Sequence, residues 1–309
     1  MLVGVDWGTS RLRAYLLSPG GVVVDQIEAD KGLLSVAPGR FEAVLREAIL
    51  PFKTRPAETL VLMSGMVGSR QGWAEAPYVA LPASLDDLAS TMLTVAAPSL
   101  GKVAIVPGVM TGSGRSAWAD VMRGEETQVF GALLGLDARE GRFVLPGSHS
   151  KWVDVEDGAI VGFTTYMTGE IYAALTQHTI LSKMMGEGGR NGDAFARGVE
   201  AARGLSQPGD LLARFFNVRA ETLLGRLDPD DAPDFLSGLL IGAEVGAATQ
   251  NVQSVVIVGS EGLTERYRQA LELLGVRPVV APERAAAVGL AQIAERWRAN
   301  RSTSKASQH

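Results

Sequence analysis

Apolar and polar positions divide the chain into short, sharply punctuated elements. Leu2–Asp6 is an apolar run that stops at Gly8-Thr9-Ser10, Leu12–Ser18 alternates, and Pro19-Gly20-Gly21 marks a turn before a third strand at Val22–Ile27. Phe41, Val44, Leu45, Ala48 and Ile49 recur at helical spacing and predict a helix over 41–52. Thr59–Met63 reads as a buried strand, Leu85–Val95 as a helix and Val103–Val106 as a strand. The predicted order is β-β-β-α-β-α-β.

The second half repeats that order. Phe143–Leu145, Trp152–Val155 and Ile160–Thr165 read as strands separated by the turns Gly147–Ser150 and Glu156-Asp157-Gly158. A helical pattern runs from Gly169 to about Met185, and an insertion over 186–250 precedes a strand at Ser254–Val258. A helix over Leu263–Leu274, a strand at Arg277–Val280 and a helix over Glu283–Arg298 complete the copy. Two copies of one plan state an architecture, since each copy must bury its own sheet faces. The prediction is an α/β protein of two domains, 1–122 and 123–299, followed by a polar, Ser-rich tail over 300–309 that we expect to be disordered. Gly112-Ser113-Gly114 reads as a hinge near the boundary, and the insertion is a candidate interface for a homo-oligomer.

Composition narrows the chemistry. Lys+Arg 29 against Asp+Glu 34 gives a formal charge of -5, which argues against a nucleic-acid partner. With Cys 0 there is neither a thiolate nucleophile nor a Cys-ligated metal, and the three histidines, His149, His178 and His309, are too few for a His-rich centre. The N-terminal MLVGVDWGTS lacks a basic leader, and the most apolar segment, Phe235–Thr249, is broken by Glu244, so no membrane span is expected and the location read is cytoplasmic. Gly is frequent at 36 of 309 residues, about 12% against a typical 7%, which suits tight turns and close backbone approaches.

Those turns are where chemistry concentrates. Asp6-Trp7-Gly8-Thr9-Ser10, Pro146-Gly147-Ser148-His149-Ser150 and Gly259-Ser260-Glu261-Gly262 end strands at equivalent places. A turn rich in Gly and hydroxyl residues aims backbone N–H groups at one point and suits phosphate oxygens. One such turn is ordinary; one in each half suggests a polyphosphate gripped from both sides of an interdomain cleft. Asp6 closes an apolar strand, where a lone carboxylate is costly; Mg²⁺ held through water would partner it, and an Asx-type bond to the turn is the bland alternative. No G-x-x-x-x-G-K-[ST] stretch occurs, so a P-loop is excluded, and Gly186–Gly189 follows a helical pattern and is no dinucleotide fingerprint.

DWGTS, the second hairpin and VVIVGSEGL together resemble the sugar kinase, actin and Hsp70 superfamily. VLMSGMVGSRQGWAEAPYV, DVMRGEETQVFGALLG and FVLPGSHSKWVDVEDGAIVGFTTYMTGEIYAAL are similar, over nearly the whole chain, to the 2-dehydro-3-deoxygalactonokinase family. The resemblance implies two ribonuclease-H-like (actin-like ATPase) domains with a nucleotide cleft between them. It also implies ATP-dependent phosphorylation of a 2-keto-3-deoxy sugar acid at its terminal hydroxyl, in galactonate catabolism. By the same resemblance the first two turns, with Asp6, Gly8, Thr9, Ser10, Gly147, Ser148 and Ser150, surround the phosphates, while Gly259, Ser260 and Glu261 meet the nucleoside. Arg11 beside the first turn and His149 and Lys151 at the second hairpin read as further phosphate donors, a structural turn histidine being the alternative for His149.

Where the superfamily places a catalytic Asp at a helix start, this chain has GEET, with Glu126 lying 21 residues before Gly147. Glu126 is the expected base, Glu125 the second choice, and dipole complementation at a helix start the bland reading. A folded Glu126→Gln variant with wild-type turnover would remove the first assignment. The loop Ser64–Tyr78 is the expected sugar-acid side, with Ser64, Gly65, Trp73, Glu75 and Tyr78 along it. Arg70 leads Arg11 and Arg115 as the carboxylate's partner, against a surface ion pair as the ordinary role of any one arginine. The alternatives are a kinase of another sugar acid, such as 2-keto-3-deoxygluconate, and a nucleotide-switch protein of the actin-like type.

Overall fold

The computed structural model describes residues 1–111, 118–186, 191–207 and 209–306. The expected hinge at 112–114, Arg115 and part of the 186–189 run lie outside the described residues.

The first strands are β1 (Leu2–Trp7), β2 (Leu12–Leu17) and β3 (Val23–Ala29), an antiparallel meander. Helix α1 (Phe41–Ala48) leads to β4 (Leu60–Ser64), short β5 (Tyr78–Ala80) and β6 (Ala83–Ser84), then α2 (Leu85–Ser90). Strands β7 (Leu93–Val95), β8 (Lys102–Ile105), β9 (Gly108–Met110) and β10 (Val121–Met122) follow. After α3 (Glu125–Gly135) come β11 (Gly141–Leu145), β12 (Ser150–Glu156), β13 (Ala159–Tyr166) and α4 (Thr168–His178). The insertion forms α5 (Gly192–Arg203), α6 (Asp210–Leu223) and α7 (Ala232–Ala248), and β14 (Ser254–Ile257), α8 (Glu261–Leu273), β15 (Arg277–Val280) and α9 (Ala285–Ala306) end the described chain.

The two large sheets run β3-β2-β1-β4-β8-β7 and β15-β14-β11-β12-β13-β6. Within each, the five repeat strands take the same 3-2-1-4-5 order, as the repeated element plan predicts. In both, the meander's first strand lies parallel to the strand after the helix, β1 to β4 and β11 to β14. A third sheet is β10-β9-β5.

Several boundaries differ from the sequence expectation for local reasons. The 85–95 stretch is helical only to Ser90, begun by a capping box between Ser84 and Asp87; Leu93-Thr94-Val95 instead pairs antiparallel with β8, as β-branched residues favour. The helix expected to reach Phe52 stops at Ala48, and a 3₁₀ turn containing Pro51 follows. The helix expected to reach Met185 ends at His178, with a 3₁₀ turn over Ile180–Lys183. Residues 300–306, expected in a disordered tail, continue the helix of α9.

The chain divides into two compact units. Unit 1 holds Met1–Gly141, Val153–Phe163 and the chain from Ala281 on, and unit 2 holds Arg142–Trp152 and Thr164–Val280. A cut at residue 122 would instead assign α3 and α9 to the second half; in unit 1 they pack against each other. The unit 1 core gathers Val3, Val5, Trp7, Leu12, Phe41, Val61, Met63, Val103 and Ile105 around its sheet. In unit 2, Val144, Trp152, Phe195, Val199, Ile241 and Tyr267 form one core, and Leu181, Val218, Leu236 and Leu239 form another. No described helix is long and apolar enough to cross a membrane.

Candidate active site

Parallel pairing decides which loops of unit 1 meet. Asp6 at the end of β1 stands beside Ser64 at the end of β4, so the segments that leave these strands start side by side. Gly65 has φ 94°, and a Cβ there would lie 2.8 Å from the Trp7 carbonyl oxygen and 3.3 Å from Asp6 Oδ1. Gly124, at φ 107°, caps α3, and its Cβ would fall 2.9 Å from the Gly65 Cα. Only glycine combines these backbone angles with such contacts. The two glycines thus bring the first turn, the 64–78 loop and the start of α3 to one place.

Three carboxyls share that place. Asp6 is mostly buried, with Arg13 Nη1 3.9 Å away across the β1–β2 pair. Burial pushes its pKa up to about 6, Arg13 offsets part of the rise, and the charge of Glu125 adds to it. Glu126 is fully buried. Its Oε2 accepts the Gly124 N–H at 2.7 Å, and its Oε1 accepts the Thr127 hydroxyl at 3.1 Å. Burial, then repulsion from Glu125, raises its pKa to about 8 against the pull of those hydrogen bonds. Glu125 is half-buried and accepts the Arg123 N–H at 2.9 Å.

The rest of the first turn is braced from behind. Gly8 N–H donates to the Arg11 carbonyl, and the carbonyls of Gly8, Thr9 and Ser10 accept from Leu33, Leu34 and Gly32. Thr9 and Ser10 are exposed. Arg11 makes surface ion pairs with Glu28 and Asp30, the ordinary role for an arginine. Arg70 is likewise exposed, 3.5 Å from Glu75. Trp73 stacks on Phe41 at the edge of the unit 1 core, and with Arg70, Glu42 and Phe41 it lines a cavity of about 380 Å³. Tyr78 lies under the guanidinium of Arg123, 4.2 Å from it.

Unit 2 repeats the pairing logic. Since β11 and β14 are parallel neighbours, the turns after them adjoin, and a Cβ at Gly259 would touch Pro146 at 3.4 Å. Ser260 caps α8, and Gly259, Ser260 and Glu261 are exposed. In the second turn Ser148 and His149 are exposed, Glu170 N–H donates to the Ser148 carbonyl, and His149 Nε2 bonds Glu170 Oε2. Ser150 and Lys151 face inward. Lys151 Nζ donates to Thr165 Oγ1 at 2.7 Å, and Ser150 Oγ pairs with Tyr267 OH at 2.8 Å. Tyr267 donates to Glu244, which also accepts from Trp152 Nε1 at 2.7 Å; burial raises the pKa of this carboxyl.

Sequence reasoning missed three participants. Arg13 carried a signal, since a β1–β2 hairpin closed by residues 8–11 places it opposite Asp6. Glu244 carried one too, as a lone carboxylate in an apolar helix must find donors. Arg123 gave none, because its surroundings come from residues some 45 to 55 positions earlier. Among the described residues no group of three or more His, Cys, Asp or Glu side chains is arranged to hold a metal by itself.

The 2-keto-3-deoxy-galactonokinase family model matches residues 6–293. The chain is 38% identical to the probable 2-dehydro-3-deoxygalactonokinase of Rhizobium meliloti, over 90% of this chain and 92% of that one. It is 35% identical to the 2-dehydro-3-deoxygalactonokinase of Escherichia coli, over 94% and 97%. A crystal structure from Sinorhizobium meliloti, assigned to the same enzyme, superposes with a TM-score of 0.84 at 35% identity, covering 97% of this chain and 99% of that chain. The activator of the 2-hydroxyisocaproyl-CoA dehydratase of Clostridium difficile, solved with bound ADPNP, reaches a TM-score of 0.52 at 11% identity over 97% of each chain, a likeness of fold alone.

Proposed function

Since the chain belongs to the 2-keto-3-deoxy-galactonokinase family, we propose that it transfers the γ-phosphoryl group of ATP to the terminal hydroxyl of 2-dehydro-3-deoxy-D-galactonate. The observation that carries this reading is the meeting of Asp6, Ser64, Gly65, Gly124 and Glu125 at one place in unit 1. We read these carboxylates as the partners of a metal and of the accepting hydroxyl, beside the loop we assign to the sugar acid.

Glu125, rather than Glu126, takes the base role. A base must touch the hydroxyl it deprotonates; Glu126 is enclosed and holds its proton at neutral pH, whereas Glu125 is half-buried and neighbours Asp6. Glu125 orients the hydroxyl and accepts its proton as the oxygen bonds to the γ-phosphorus and the bond from that phosphorus to the β–γ bridging oxygen breaks, releasing ADP. Glu126 stays behind it as a neutral hydrogen-bonding group that fixes the first turn of α3.

The donor set at Asp6 fits Mg²⁺. Its carboxyl is strained upward in pKa by burial and by Glu125, and a divalent cation would relieve both. One or two carboxylates plus phosphate oxygens and water make an ordinary Mg²⁺ site, so the absence of a three-ligand cluster among the described residues is no obstacle. When bound, the metal would neutralise charge on the β- and γ-phosphates. We assign the turns Gly8–Ser10 and Gly147–His149 to the phosphates, each on its own unit, and Gly259–Glu261 to the nucleoside.

Coupled ATP consumption with Mg²⁺ tests the assignment, using 2-dehydro-3-deoxygalactonate, 2-keto-3-deoxygluconate, galactonate, galactose and glycerol as acceptors. Preference for the first supports it. Preference for 2-keto-3-deoxygluconate keeps the chemistry and changes the substrate, and ATP binding with turnover of none refutes the kinase reading.

A further inference from the structure

We propose that Arg123 receives the carboxylate of the sugar acid. This rests on the reading of the chain as a sugar-acid kinase and names the group that would recognise the acid end of its substrate.

Arg123 is 8% exposed. Its Nη2 donates to the Ala76 carbonyl at 2.8 Å, and its guanidinium lies 4.2 Å from the centre of the Tyr78 ring. Nε and Nη1 are buried without a hydrogen-bond partner, and no carboxylate among the described residues pairs with the group. A buried carboxyl can take up a proton to escape its charge; a guanidinium cannot give one up. One carbonyl and one ring therefore leave a fixed positive charge with donors unfilled, an arrangement that strongly favours an anion.

One segment of unit 1 lies against Arg123. The 64–69 segment runs along it: Gly65 meets Gly124, and a Cβ at Gly68 would stand 3.1 Å from Nη1. On that segment the hydroxyls of Ser64 and Ser69 are also buried and unpartnered. A carboxylate is an acceptor-only group with about four lone-pair sites, the complement of the two unfilled guanidinium nitrogens. A neutral hydroxyl would fill one donor and leave the charge uncompensated. For the acid to reach these donors, the 68–76 segment must part from the guanidinium, a rearrangement favourable only for a ligand that brings negative charge. Arg123 also precedes Glu125 by two residues, so the acid end and the reacting hydroxyl would be held from one short stretch. Arg70, by contrast, is 88% exposed and already faces Glu75.

Steady-state kinetics of the full chain with Mg²⁺ and ATP test this, comparing 2-dehydro-3-deoxy-D-galactonate with the neutral analogue whose carboxylate is reduced to a hydroxymethyl group. Arg123→Gln is expected to raise KM for the acid about 30-fold or more, as loss of charged hydrogen bonds does. KM for ATP and for the neutral analogue should move less than about threefold, and Arg123→Lys should recover part of the acid's affinity. A loss spread equally over acid, neutral analogue and ATP would mark a structural role and overturn the proposal. So would an unchanged KM for the acid, or a rise produced by Arg70→Ala instead. Should Arg123→Gln fail to fold, Arg123→Lys carries the test: an acid-selective rise supports the proposal, and no acid-selective change overturns it. Wild-type protein that phosphorylates neutral sugars and not the acid would refute both this inference and the kinase reading. Wild-type turnover of the acid with an indifferent Arg123→Gln refutes the inference alone.

Discussion

Glutamine in place of Glu126 should stabilise the protein at pH 8 relative to the wild type and leave the two nearly equal near pH 4.5. Glu126 is fully buried, and its pKa rises from an ordinary 4.5 to about 8. Below 4.5 both folded and unfolded chains hold the proton, and the wild type suffers no loss. As pH climbs above that value the unfolded chain releases its proton while the folded chain keeps it, so stability falls until pH passes the folded value near 8. At about 1.4 kcal/mol per pH unit the whole interval is worth about 5 kcal/mol, a large fraction of the 5–15 kcal/mol that holds a typical domain together. Relaxation and water entry reduce that ceiling, and about 2 kcal/mol across pH 5–8 is the least the burial described here should produce.

Glutamine keeps the shape and the bonds: its amide oxygen accepts the Gly124 N–H, and its NH₂ can donate to Thr127, whose hydroxyl rotates. The assay is equilibrium urea unfolding of both proteins at pH 5, 6, 7 and 8, followed by circular dichroism. The difference between them removes every other titrating group, Asp6 included. Stability curves that run parallel across the whole range would falsify the raised pKa and, with it, the neutral state assigned to Glu126. Glu125→Gln supplies a cross-check, because removing that neighbouring charge lowers the Glu126 pKa and flattens the pH dependence.

Three further outcomes follow from the same geometry. Glu125→Gln should lower turnover about 10²–10⁴-fold, the usual contribution of a general base, while Glu126→Gln stays within about tenfold; the opposite ranking in a coupled kinase assay would return the base role to Glu126. Asp6→Asn should raise the Mg²⁺ concentration for half-maximal activity at least about tenfold. At limiting Mg²⁺ wild-type activity should fall as pH drops through about 6, where Asp6 takes up its proton, and this inflection should vanish in the variant; an inflection that survives would place it elsewhere. Tyr267→Phe leaves Ser150 and Glu244 each one partner short and should cost about 1–3 kcal/mol in urea unfolding, whereas a loss below about 0.5 kcal/mol would show that water replaces the hydroxyl.

The repeated meander was legible because its turns are punctuated by Gly and Pro and its strands are apolar, and the 3-2-1-4-5 order then follows from short connections between neighbours. The return of α9 to unit 1 was not, since nothing in the local period of 285–306 names the helix it packs on. The distinction between Glu125 and Glu126 was only faintly legible in the pattern, since Val129 and Ala132, four and seven residues after Glu125, are buried as well, and the spacing to Gly147 favoured Glu126. Positions 129, 130 and 133, three, four and seven residues after Glu126, are all buried apolar side chains, so Glu126 shares the inward face of α3. Gln128, three residues after Glu125, is only half-buried.

Glu126 and Arg123 show why burial alone does not assign a role. Both sit at the start of α3 and both are enclosed. The carboxyl has bonds to both oxygens and can surrender its charge to a proton, so its burial is answered within the protein and varies with pH. The guanidinium has two nitrogens without partners and a charge that no accessible pH removes. The proposed sugar-acid carboxylate would answer its burial from outside. A substrate that brings a carboxylate therefore gains most from Arg123, and a neutral sugar with the same hydroxyls gains least, which is the discrimination a sugar-acid kinase needs.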